Sequence, residues 1–308
     1  DFEFHNSIIW KYTTSKQILL SSAAVAEGKV FFGSYDHKVY ALDAKTGSLN
    51  WSFETGLPVV SSPTVLDSIV YIASQDCKIY GLNSTSGKEI WSYETEGRIV
   101  VSSPAVSNGI LYIGCLDHRI YALNALNGKL IWTFSTGDMV VSTPAVANGL
   151  VFVGSQDGKV YALNAQTGSV RWIYATQDAV YSSPGVARGI VYIGSRDNRV
   201  YALNASNGDN LWSFMAGGDI DSSPAITDGV VFIGSEDKHL YALNSTDGTL
   251  LWSYATGGWV VSSPAVVNGV VYFGSYDHLM YAVGAPLEKK PIEQDKLFAE
   301  SLFLALLI

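Results

Sequence analysis

The chain has 308 residues, 48% of them hydrophobic and 15% charged, with a formal net charge of −9. That length and apolar content suffice for a large buried core, in two ordinary domains or one large all-β domain. The acidic balance excludes nucleic acid, and an anionic membrane as a general partner, because phosphate binding needs a surplus of Lys and Arg. Cys77 and Cys115 are too few for a disulfide framework and leave the redox compartment undecided. The first residues, DFEFHNSIIW, lack the basic start and apolar run of a secretory leader, as a trimmed product also would.

In chain order, the first predicted element is a strand at about residues 8–13, which holds Trp10. A repeat follows. The phrase SSAAV at Ala23 returns as SSP at Pro63, Pro104, Pro144, Pro184, Pro224 and Pro264, at a spacing of 40 or 41 residues. The Asp of GSxD recurs in register at Asp36, Asp76, Asp117, Asp157, Asp197, Asp237 and Asp277, and the Tyr of YALN at Tyr40, Tyr80, Tyr121, Tyr161, Tyr201, Tyr241 and Tyr281. Seven copies of one supersecondary unit are therefore present.

Each copy reads as four short strands. WVVSSPAVV and GVVYFGS are rich in Val and aromatics and are joined at Asn268-Gly269, a dipeptide suited to the positive φ angles of a tight hairpin. LMYAV supplies a third strand, and in complete copies a turn such as Thr167-Gly168 leads to a fourth, SVRWIYAT. Four antiparallel strands per repeat, seven times over, predict an all-β, seven-bladed β-propeller of four-stranded blades.

Trp51, Trp91, Trp132, Trp172, Trp212 and Trp252 each follow the Tyr of their copy by eleven residues, but the seventh copy runs from Tyr281 into VGAPLEKKPIEQ without one. Trp10 precedes Ala23 by thirteen residues, as Trp91 precedes Pro104. Residues 8–13 are thus expected to be the missing fourth strand, closing the ring by completing blade seven (259–285) and removing an exposed edge. The propeller then spans 1–285, and 286–308 forms a C-terminal tail of helical composition, too short to span a membrane and the one segment through which membrane association would occur. A closed ring of this kind is expected to be a monomer.

The segment ALNAQTGSVRWIYAT, residues 162–176 with Gly168 and Trp172, resembles the tryptophan-docking motif of the PQQ-like repeat family of β-propellers. Quinoprotein dehydrogenases and BamB-like proteins are members, and the likeness runs over nearly all of 8–285. The resemblance implies that Trp10, Trp51, Trp91, Trp132, Trp172, Trp212 and Trp252 dock neighbouring blades. It implies an extracytoplasmic location, in the periplasm or at the cell surface. For the enzymatic members it implies PQQ with Ca²⁺ as cofactor, but their adjacent cysteine pair and long inter-strand insertions are missing here, so no catalytic residue and no cofactor are assigned.

Strand alternation sends the fourth-to-first and second-to-third connections to one face, where residues vary between copies. The segments leading into the innermost strands carry Gln17, Arg98, Asp138, Asp178, Tyr181, Asp219, Asp221 and Trp259, an acidic sector beside the one Trp outside the docking register. Carboxylates next to an aromatic face suit a cation or a sugar-like ligand. After the GSxD Asp stand His37, Cys77, His118 and His278, types that ligate metals, but blades set about 51° apart in a seven-fold ring would hold them on the order of 10 Å from one another, too far to share an ion. The recurring Asp and Ser residues are expected to serve architecture. The resulting expectation is a non-enzymatic scaffold presenting its variable face to a protein, peptide or surface glycan; the alternatives are a PQQ-dependent oxidoreductase-like protein and a small-molecule or sugar binder.

Overall fold

A computed structural model describes residues 8–284, so the expected tail at 286–308 lies outside the described residues. Among them are 27 strands and no helix. Six sheets have four antiparallel strands in sequence order, and a seventh has three. This is the seven-bladed, all-β propeller class expected from the repeat.

Blade four shows how the sequence builds one sheet. Its strands are Ala145–Ala147, Leu150–Ser155, Lys159–Asn164 and Val170–Ala175. Asn148 and Gly149, at φ 51° and 74°, form the tight turn between the first two. Val151 to Ser155 and Val160 to Leu163 are buried throughout, so these strands read as unbroken apolar runs rather than alternating ones. The fourth strand is solvated except at Trp172 and Tyr174, which matches its polar alternation.

The described residues form two compact units: those up to Leu111 with Leu123–Leu130, and Tyr112–Ala122 with those from Ile131 on. Within each, the same three contacts join successive blades. The first is the Trp seat. In the first unit Trp51 Nε1 donates to the Ser84 carbonyl at 3.0 Å and Trp91 Nε1 to that of Ala125 at 2.9 Å. In the second, Trp132, Trp172 and Trp212 donate to Ala165, Ala205 and Ser245 at 2.9, 2.9 and 3.1 Å. Each ring lies on a turn glycine: a Cβ on Gly168, at φ +71°, would stand 2.7 Å from the Trp132 ring. These five indoles are only 7–8% exposed.

The second contact is the GSxD carboxylate. Asp157 accepts from the Tyr161 hydroxyl at 2.5 Å, from its own turn at Lys159 N, and from Gly137 N of the preceding blade at 2.8 Å. Asp76, Asp237 and Asp277 take the same bonds from Tyr80 and Gly56, Tyr241 and Gly217, and Tyr281 and Gly257. The third explains the SSP serines. The second Ser of each phrase accepts from its counterpart one blade back: Ser62 N to Ser103 Oγ and Thr143 N to Ser183 Oγ, both at 2.9 Å. The first Ser binds its own second strand, as Gly154 N to Ser142 Oγ at 3.2 Å shows. Both sets of repeated residues are architectural, as their repetition led us to expect.

Residues 8–13 depart from expectation. They carry no strand assignment, and the seventh sheet contains Ala265–Val267, Val270–Gly274 and Met280–Val283 alone. The segment still docks on blade one as a fourth strand would: Trp10 Nε1 donates to the Ala44 carbonyl at 3.0 Å over Gly47, and Ser15 N to Asp36 at 3.1 Å. Seating a Trp and pairing a strand are separate interactions, one with side chains and turns, the other with a backbone ladder; Ile8 and Ile9 are accordingly 81% and 86% exposed. In sequence, Gly284 stands where the other copies have Asn or Asp, and Trp252 is 36% exposed.

Substituting Gly168 by Ala should cost about 2–4 kcal/mol, the sum of a left-handed Cβ and an overpacked indole, read as a lower urea midpoint at unchanged slope. Gly149→Ala, with no atom near its Cβ, should cost only about 1–2 kcal/mol; equal losses would mean that the Trp seat contributes nothing.

Burial pushes the Tyr71 and Tyr112 hydroxyls up to about 12, against about 10 in an unfolded chain, and Tyr161, Tyr201 and Tyr241 are raised by burial and by their Asp partners. A folded pKa above the unfolded one stabilises below the unfolded value and is lost as pH rises through the folded one. Above about pH 10, tyrosinate absorbance should therefore rise together with loss of near-ultraviolet dichroism; ionisation of all tyrosines in a protein with intact dichroism would contradict this.

Candidate functional site

The variable face is built from two residues per blade. One leads into the innermost strand, and the other is the x of GSxD. Their backbones are bonded: Arg196 N to the Ala179 carbonyl, Glu236 N to that of Asp219 and Tyr276 N to that of Trp259, each at 2.9 Å. Outside these blades, Tyr35 N meets Gln17 O and Gln156 N meets Met139 O in the same way. The lead-in is pinned by the Thr that follows the fourth strand, whose single hydroxyl proton lies between two carbonyls: Thr176 Oγ1 is 2.7 Å from Gly158 O and 2.6 Å from Asp178 O. The scaffold thus fixes the backbone and leaves these side chains free to differ.

In the second unit the scaffold gathers three of the expected residues, Tyr181, Asp219 and Asp221, round one cation. Arg196 binds Asp221 with two parallel bonds, Nε to Oδ1 at 2.9 Å and Nη2 to Oδ2 at 2.7 Å. Its guanidinium carbon stands 3.7 Å from the centre of the Tyr181 ring, and its Nε is 4.0 Å from Asp219. A flat guanidinium satisfied in plane by a carboxylate and stacked on an aromatic face is held rigidly. The hydrogen bond from Asp221 raises the Arg196 pKa further, against burial. Burial raises the Asp219 carboxyl, with Asp221 and Asp178 adding like-charge repulsion against the pull of Arg196. Burial likewise raises Glu236, reinforced by Asp221 and Asp219.

The other expected residues are placed separately. Asp138 receives Met139 N at 2.7 Å and lies 3.7 Å from His118 Nε2. Asp178 receives Ala179 N at 2.6 Å. Arg98 is exposed and belongs to the first unit. Trp259, 46% exposed, faces Tyr276, 62% exposed, with ring centres 5.8 Å apart. His37, Cys77, His118 and His278 hold equivalent left-handed turn positions, at φ 67–71°. Among the described residues no group of three or more His, Cys, Asp or Glu side chains could hold a metal ion. Three of them share a backbone role: Thr55 N and Oγ1 both donate to His37 O, and Thr95 and Thr136 do the same to Cys77 O and His118 O.

Arg196, Glu236 and Tyr276 were missed by sequence reasoning. Their signal lay in the x of GSRD, GSED and GSYD, one place before the recurring Asp, whereas attention fell one place after it.

A family model described as outer membrane protein assembly factor BamB matches residues 5–139, 116–221 and 215–286. The chain belongs to this BamB family. It is similar in fold to BamB from Moraxella catarrhalis, at 21% identity and a TM-score of 0.78 over 90% of this chain and 88% of that one. A computationally designed protein, Ika8, also scores 0.78, at 17% identity over 86% and 83%. A europium-containing methanol dehydrogenase scores 0.72, at 13% identity over 90% of this chain and 76% of that one. No curated protein sequence matches the chain. In this BamB-family chain Cys77 and Cys115 are far apart in sequence and form no disulfide, and among the described residues no group of three or more His, Cys, Asp or Glu could hold a metal ion.

Replacing Arg196 by Met would leave three part-buried carboxylates facing one another. An acid whose folded pKa is raised destabilises once ionised and ceases to do so when protonated. Arg196→Met should therefore lose about 1–2 kcal/mol at pH 7 and recover most of it towards pH 4, read by thermal unfolding; a loss independent of pH would show that the cluster acts through packing alone.

Proposed function

We propose that this chain is a non-enzymatic, extracytoplasmic scaffold, monomeric in itself, that presents its variable face to a partner protein. One observation carries the reading: recurring residues are consumed in blade-to-blade contacts, while the singular ones, Tyr181, Arg196, Asp219, Asp221, Glu236 and Trp259, stand with Tyr276 on one face over blades five to seven. A rigid Arg–Asp–Tyr cluster beside exposed aromatics has the make-up of an interface hot spot. Membership in a family described as an assembly factor, and fold likeness to a BamB structure, support a protein partner and an extracytoplasmic setting. Fold likeness to a methanol dehydrogenase favours a second reading as a quinone-dependent oxidoreductase, which lacks a matching residue set here.

A photo-crosslinking residue at position 219 should capture a discrete protein species from an extracytoplasmic fraction, and one at position 148, in the hairpin turn of the opposite face, should not. A surface glycan captured at 219 in place of a protein, identical capture at both positions, or dye-linked alcohol oxidation on adding PQQ with Ca²⁺ would each remove the protein-scaffold reading.

A further inference from the structure

Resting on the scaffold reading, we propose that the edge between blades six and seven binds an extended peptide of the partner through its Arg or Lys side chains. The register that joins Arg196 to the next blade recurs one blade on. Ile220 N bonds to Ser195 O at 3.2 Å, beside Arg196 and its partners Asp219 and Asp221; Val260 N bonds to Ser235 O at 3.0 Å, which sets the backbone of Glu236 next to that of Trp259 in the same register. The carboxyl of Glu236 lies in the field of Asp219, Asp221 and Arg196, and its backbone borders the exposed aromatic pair of blade seven.

Charge around this edge is unbalanced. Arg196 is committed to Asp221 by two hydrogen bonds, and it reaches Asp219 only at 4.0 Å. Glu236 is half-buried, and among the described residues its carboxylate accepts no hydrogen bond and lies in no ion pair within 4 Å, with Arg196 only weakly lowering its raised pKa. Beside it the Trp259 and Tyr276 rings lie 5.8 Å apart and tilted by 31°, forming an open aromatic wedge. A guanidinium or ammonium laid on these rings would meet Glu236 and Asp219, giving a cation–π and a charge-assisted contact at once. An extended chain fits better than a free cation, because the surface is an open edge with no enclosing walls, and affinity there must come from several side chains along its length.

The full chain would be titrated with fluorescein-labelled Gly-Ser-Arg-Gly-Arg-Ser-Gly, its Glu-for-Arg counterpart, and unlabelled arginine amide as competitor. The Arg peptide should bind saturably and weaken as salt is raised, the Glu peptide should not bind, and arginine amide should compete at least about tenfold more weakly than unlabelled Arg peptide. Glu236→Gln should weaken binding about fivefold and Trp259→Ala about tenfold, with circular dichroism unchanged, and Arg98→Ala should have no effect. Equal binding of both peptides, no saturation, arginine amide as strong as the peptide, or insensitivity to both Glu236→Gln and Trp259→Ala would overturn the proposal. Crosslinking from position 219 that persists undiminished in Glu236→Gln would likewise remove the basic-peptide assignment while leaving the scaffold reading standing.

Discussion

The fold depends on an indole laid flat on a glycine of the next blade. A Trp ring offers a large apolar area and a single N–H, and the YALNxxxG turn supplies what both need: an open carbonyl and a residue with no Cβ under the ring. Because that glycine also sits in the left-handed region, one residue type satisfies turn and seat together. Repetition of this pair turns weak individual sheets into a chain of mutually supporting ones, each covering a face that an isolated four-stranded sheet would leave in water.

Around the Trp seat, polar groups are used with the same economy. One GSxD carboxylate serves the turn, the Tyr of its own blade and the backbone of the preceding blade, and one Ser ladder runs along the inner strands. Buried polar groups satisfied this fully are costly to change, so variation is confined to side chains that point away from the contacts. The lead-in and GSxD x positions are where that freedom exists. They are held by backbone bonds alone, and their side chains can become Gln, Met, Arg, Glu or Tyr without disturbing a blade junction.

Trp252 is several times more exposed than its equivalents, and its whole strand, Leu250–Ala255, is solvated. At the other end, Trp10 finds a complete seat in the turn of Ala44 and Gly47 and docks without any strand around it. Local turn chemistry, rather than membership of a strand, therefore decides where a Trp of this register is held.

The docking role of the Trp residues came from the family resemblance of their motif, whereas periodicity determined the fold class, the strand number per blade and the architectural role of the Asp and Ser, because each of these rests on short-range patterns that seven copies repeat. The separate positions of Asp178, Tyr181, Asp219, Asp221 and Trp259 on one face were legible for the same reason. Tertiary structure decided what they form. That Asp219 and Asp221 close on Arg196, that Tyr181 stacks beneath it, and that the carboxyl of Glu236 falls within the same field depend on side chains meeting across blade boundaries. A linear repeat gives each residue its place within a blade; the distance between charges on adjacent blades exists only once the sheets are packed.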